Sequence, residues 1–401
     1  MNMDKQELRE EREKKQTRQI ITKIVTALFI IAVIAVAFFT RNTWLPMVQK
    51  AFHSMITGEK EITAAPDSES PQNDNFPIKI QGGMGYQLLA MDGALALLDE
   101  SRFYVYDTNG RLMNQTQHTY SNPILCVSDT KALIYDVGGK SYRLESKYKT
   151  IYEHDADDVI YLARLSDKDY VGIVTRSDFY LSQLKVLDEK GEKAFTLQSY
   201  DGRIIDIEFN KDSTGCIITL LYAKGGELLS RMVCYDFTKK EPVWEAQPVD
   251  TLTMDVKMYS NGTIAMIGDT VYALFDSNGN LLSKYAYEEP ITDYASSGEM
   301  SVIITENTEL RKTNMVIFSP GRDPKPIPLV HGEKDVCINS NMCSILSDEK
   351  IYLYSAGGTD SGYYNARDQF DHIVQAGRLY YLLGYDQISL FDPDNETLYT
   401  E

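Results

Sequence analysis

The 401 residues carry 40 Lys/Arg against 58 Asp/Glu, a net charge of −18, with 43% hydrophobic and 24% charged residues. This composition excludes a disordered or low-complexity chain, and the acidity excludes phosphate-backbone binding, so no nucleic-acid partner is expected. Five cysteines (Cys126, Cys216, Cys234, Cys337 and Cys343) are odd in number and lack zinc spacing, which excludes a disulfide framework and a zinc module.

The charge is unevenly spread. Residues 1–60 hold ten Lys/Arg and six Asp/Glu; the rest holds 30 and 52. Residues 1–19 alternate acid and base, as in Glu7-Leu8-Arg9-Glu10-Glu11-Arg12-Glu13-Lys14-Lys15, and form a charged cytoplasmic segment of helical spacing. Residues 20–40 carry no charge from Ile24 to Thr40. At about 1.5 Å per residue a helix there spans the ~30 Å hydrocarbon layer. Basic residues crowd its N-terminal side (Lys5, Arg9, Arg12, Lys14, Lys15, Arg18, Lys23), and only Arg41 and Lys50 follow closely. The positive-inside rule then leaves the N-terminus in the cytoplasm and sends the rest outside. Ala35-Val36-Ala37 resembles a signal-peptidase site, so a cleaved signal peptide is the alternative; it exports the same domain.

Leu45, Val48, Phe52, Met55 and Ile56 recur at helical spacing beside Trp44, which predicts an interfacial amphipathic helix over residues 41–57. Residues 58–75 lack an apolar period and read as a flexible tether.

From residue 76 to 401 the pattern becomes short apolar runs separated by turn residues. Eight runs recur: 93–98, 131–136, 170–175, 215–222, 262–268, 300–305, 342–347 and 378–384. Uninterrupted runs this short suit strands buried on both faces. A second strand follows each and usually ends in Asp or Ser. Its marker residues are Tyr106, Leu144, Leu187, Tyr235, Phe275, Phe318, Tyr354 and Phe391. Their spacings are 38, 43, 48, 40, 43, 36 and 37 residues. One strand before each run and a more polar one after each marker make four strands per repeat. This predicts an all-β, eight-bladed β-propeller, with seven blades as the alternative. Pro77-Ile78-Lys79-Ile80 and Thr397-Leu398-Tyr399-Thr400 are the candidates for closing the ring within one blade.

In topology and repeat pattern the chain resembles uncharacterised bacterial membrane-anchored β-propeller proteins of the quinoprotein-like or WD-like type. Its repeats lack the WD dipeptides and Gly-His pairs of that type. The resemblance implies a fold and an anchoring mode, and no activity.

No catalytic, cofactor-binding or metal-ligating residue is assigned. Asp107-Thr108-Asn109-Gly110 and Asp276-Ser277-Asn278-Gly279 have hairpin-turn chemistry rather than calcium-loop spacing. Gly82-Gly83-Met84-Gly85 lacks the Lys-Ser/Thr of a phosphate loop. His53, His118, His154, His331 and His372 show no metal spacing, and Asp155-Ala156-Asp157-Asp158 reads as a solvated loop between blades. Trp244 is the only tryptophan left in the domain for a stacking floor. The proline-rich segment 319–328 reads as a guard on an exposed sheet edge, with a peptide-docking ridge as the alternative. Cys337 and Cys343 flank an Asn-Ser-Asn turn and could face each other across a hairpin, but buried free thiols fit all five cysteines better. The expected function is a protein-binding or scaffold module of the cell envelope, with no cofactor. The alternatives are an enzyme acting on envelope glycans or peptides and a ligand sensor.

Overall fold

The computed structural model describes residues 75–83, 85–329, 332–367 and 369–400. The expected cytoplasmic segment, transmembrane helix and interfacial helix, with all of the tether but Asn75, lie outside the described residues.

The repeats fold into eight separate antiparallel sheets arranged in a ring. Blade 1 comprises Gln87–Met91, Ala94–Leu98, Arg102–Asp107 and Leu112–Gln117, and the same up-and-down order recurs around the ring. We name the strands of each blade a to d from the axis outward. The a strands of most successive blades pack against one another, including those of blades 8 and 1. Every apolar run of the sequence became a b strand, and every marker strand became a c strand.

A b strand buries both faces because each face meets a different blade. In blade 1, Leu95 and Leu97 pack against blade 8, while Ala94, Ala96 and Leu98 pack against blade 2. Eight apolar clusters result, each straddling one seam. The core therefore exists only when neighbours stack.

Ring closure uses both expected segments. In blade 8, strand c (Gln387–Asp392) pairs at one end with Ile78–Lys79 and at the other with Thr397–Tyr399, so two chain ends share the outermost position. Ile78 and Phe76 then bury against Tyr381, Ile388 and Leu390 in the seam with blade 1. The chain enters on the side of the c–d turns, where Asn75 Nδ2 donates to Asn109 O at 3.0 Å.

The Asp that ends a c strand caps its turn. Asp107 Oδ1 accepts from the backbone N–H groups of Asn109 (3.0 Å) and Arg111 (2.9 Å). Asp276 does the same for Asn278 and Asn280, both at 2.8 Å. Only the glycine of each turn takes a positive φ, +80° at Gly110 and +78° at Gly279. These carboxylates serve their own backbone, which explains Asp-x-Asn-Gly without a metal.

Candidate functional site

The a strands line the ring's inner wall, and their chemistry is set by a repeated backbone irregularity. In blades 3 to 8 each a strand carries one extra residue near its start, as between Ile204 and Asp206 or between Thr253 and Asp255. Such a bulge turns the following side chain to the other face of the strand. The residue after the bulge is Leu162, Asp206, Asp255, Asp293, Asp335 and His372 in blades 3 to 8. Five of the eight blades thus present four aspartates and a histidine at one level.

Several of these groups tie neighbouring blades together. Asp206 accepts from Val256 N at 2.9 Å and pairs with Arg164 Nη2 at 2.9 Å. Asp335 accepts from Ile373 N at 2.7 Å and lies 2.5 Å from His372 Nδ1. Gln87 repeats the contact in neutral form, accepting from Leu125 N at 2.9 Å. Two residues further on, Glu208 pairs with Lys257 Nζ at 2.9 Å and accepts from Met258 N at 3.0 Å.

For the remaining carboxyls burial outweighs what compensation they have: Lys257 and Arg164 near Asp255, and the Tyr294 N–H donating to Asp293 at 2.8 Å. Burial, with the Asp206 charge beside it, pushes Asp255 up to about 7. Burial pushes Asp293 up to about 6. Burial and the nearby Asp293 push Glu333 up to about 7. These three groups sit partly neutral near pH 7 and gain from any cation brought to them.

Antiparallel alternation places the d–a and b–c loops on one face of the ring and the a–b and c–d loops on the other. The carboxyl ring lies within the first residues of the a strands, next to the d–a/b–c face. Among described residues, loops on that face hold 13 Asp/Glu and four Lys/Arg; loops on the opposite face hold 14 and 11. The loops on that face therefore carry the larger net negative charge, because they hold fewer cations rather than more acids.

The same face carries exposed apolar groups. Phe179 is 86% exposed and Tyr200 68%, with Leu181 beside them. The Tyr180 ring bridges Phe179 and Tyr200 at centroid distances of 6.4 and 4.8 Å. Blade 4 adds a long b–c hairpin, Gly215–Lys224 and Glu227–Asp236, turned by Gly225 and Gly226 at positive φ and bearing exposed Leu228.

The residues singled out from sequence are mostly elsewhere. Asp157 pairs with Lys185 at 2.8 Å and Asp158 with Arg176 at 3.2 Å, so this acidic loop is matched by the protein's own cations. His118 Nε2 bonds Asp99 O at 3.0 Å, and His154 stacks on Tyr152. His372 alone of the described histidines enters the ring; His53 and His331 lie outside the described residues. Gly82 and Gly83 lie against Tyr385 at the entry to blade 1, and Met84 is outside the described residues. Trp244 sits on an outer strand against Gly279, far from the axis. Pro326–Leu329 is the outermost strand of blade 6, as an edge guard requires.

The five cysteines are free. Cys337 stands opposite Ser344, and Cys343 opposite Ile338, so the two point to opposite faces of one sheet and join different seams. Burial pushes the Cys337 thiol up to about 12 and raises that of Cys343 further.

Solved structures share this architecture. BamB from Moraxella catarrhalis aligns with a TM-score of 0.51 at 12% identity, covering 78% of this chain and 95% of that one. The C-terminal WD40 domain of Sif2 gives 0.57 at 10% identity, with 78% and 96% coverage. Dihydro-heme d1 dehydrogenase NirN gives 0.54 at 10%, with 76% of each chain covered. At these identities the likeness concerns fold alone. No curated protein matches the sequence. A family model does match, over residues 77–390, and the chain belongs to that family, described as "Family of unknown function (DUF5711)".

Proposed function

We propose that this chain is a membrane-tethered, extracytoplasmic binding module whose d–a/b–c face receives a basic, apolar-bearing segment of an envelope protein. The observation that carries the reading is the coincidence on one face of excess acid and exposed aromatic groups. Anchoring is supported by the uncharged run Ile24–Thr40 and the basic residues before it. The chain enters the ring beside Asn109, on the side of the c–d turns, opposite the d–a/b–c face. Long-range attraction brings a cationic partner to that face, and buried aromatic contacts hold it.

The test is affinity capture by full-length chain from membrane fractions. A triple variant, Phe179→Ser, Leu181→Ser and Tyr200→Ser, keeps the wild-type melting temperature and loses a partner that wild type retains at low salt. Equal retention by both proteins rules the face out.

An enzymatic reading draws on Asp255 and Glu333, whose raised carboxyls suit proton donation near pH 7. It predicts turnover of an envelope glycan or peptide that Asp255→Asn abolishes while capture persists.

A further inference from the structure

The opposite face carries a different chemistry, independent of the reading above. Where blades 6 and 7 meet, a cavity of about 330 Å³ opens between the c–d loop of blade 6 and that of blade 7. Its apolar wall is Ile317, Ile327, Pro326 and Ala356; its rim holds Arg322 and Lys325. Ligand cavities begin at roughly this size.

Three other cations in the turns of this face are matched, whereas Lys149, Lys168, Lys190, Lys211 and Lys240 stand without an ion pair among the described residues. Arg111 pairs with Asp107 at 3.1 Å, Lys239 with Asp236 at 3.1 Å, and Arg378 with Asp394 at 3.3 Å. Arg322 and Lys325 make no ion pair and no side-chain hydrogen bond among the described residues. Asp323 lines the same rim, which leaves one net positive charge there.

The backbone is cut to fit. A Cβ on Gly357 would collide with the Arg322 guanidinium. Gly358 takes φ +75°, and a Cβ there would stand 2.7 Å from Ile327 Cδ1. The positive φ of Gly358 favours glycine, and the two successive glycines leave room beside the ends of the Arg322 and Ile327 side chains.

The geometry points to a binding site for a small anion on a short apolar stem, its carboxylate or phosphate held by Arg322 and Lys325 and its stem against Ile317, Ile327 and Ala356. A planar guanidinium and a mobile ammonium suit either headgroup.

Saturation-transfer NMR titration of full-length chain with hexanoate, hexyl phosphate and hexanol tests this. At least one of the anions should saturate a single site and bind about tenfold or more tighter than hexanol, and the Arg322→Gln/Lys325→Gln variant should lose that preference at unchanged melting temperature. Tighter hexyl phosphate assigns a phosphorylated ligand, and tighter hexanoate assigns a carboxylate such as a chain terminus. Hexanol binding as tightly as both anions, absence of saturable binding by either anion, or an unaffected double variant overturns the proposal.

Discussion

His372 Nδ1 lies 2.5 Å from Asp335 Oδ2 across the seam between blades 7 and 8, and its Nε2 reaches the carbonyl of Leu88 in blade 1 at 3.3 Å. One imidazole therefore links three blades where the ring closes. Burial disfavours its charge, but the Asp335 hydrogen bond and charge outweigh that and raise its pKa; Asp293 contributes too. A histidine with a raised folded pKa stabilises fully below its unfolded value and loses that contribution as pH rises through the folded one. The carboxyls of Asp255, Asp293 and Glu333 act in the same direction. Raised to about 7, 6 and 7, they hold protons in the folded state that the unfolded chain has released. Stability should fall as pH rises from about 5 to about 8, by thermal melting at fixed ionic strength. Below that window Asp236, held at about 2 by Thr238 and Lys239, works the opposite way. Asp255→Asn should flatten the slope; a flat wild-type profile would refute this account of the ring.

Arg143 and Glu145 form a fully buried pair in the seam of blades 1 and 2, 3.2 Å apart and 3% and 0% exposed. Glu145 also accepts from Thr116 (3.2 Å) and Thr150 (2.9 Å), and Arg143 donates to Gln117 O at 2.8 Å. Removing one charge strands the other. Glu145→Ala should cost about 3–5 kcal/mol in urea unfolding, and Arg143→Met with Glu145→Leu should recover most of it. A single variant within about 0.5 kcal/mol of wild type would show that the pair is hydrated.

Ring closure depends on a two-residue strand. Ile78 is 7% exposed and pairs with Ile388. Ile78→Ala should cost about 2–5 kcal/mol and raise the rate of limited proteolysis. Ile151→Ala, on an exposed outer strand of blade 2, should change stability by about 0.5 kcal/mol or less. Comparable losses from the two would deny the closing strand its role.

The blade count and the closing segments were legible because a b strand buried on both faces leaves a continuous apolar run. The caps were legible because Asp107 and Asp276 act within their own turns. The inner ring was not. A strand read with period two puts Asp206 on the same face as Ile204, whereas the bulge between them reverses it, and Ile204 shares its seam with Ile207 instead. A signal was present once the repeats were aligned. Asp206-Ile207-Glu208-Phe209, Asp255-Val256-Lys257-Met258, Asp335-Val336-Cys337-Ile338 and His372-Ile373-Val374-Gln375 occupy one register. The acidic face was hidden for a related reason. Its residues come from separate loops that only the ring brings together.

The proposed tethering makes its own prediction. Protease added outside intact cells should digest residues 76–401 of the full-length chain and spare an epitope placed before residue 19. Protection of the whole chain, or loss of the epitope, would contradict the topology.

The most direct measurement is photocrosslinking in intact cells, with a photoreactive side chain at Phe179 or Tyr200 on one face and at Tyr148 on the other, all well exposed. Binding through the acidic face predicts a discrete protein adduct from Phe179 and Tyr200, none from Tyr148, and its disappearance when salt is raised. An adduct from Tyr148 alone, or none from any of the three, would contradict it.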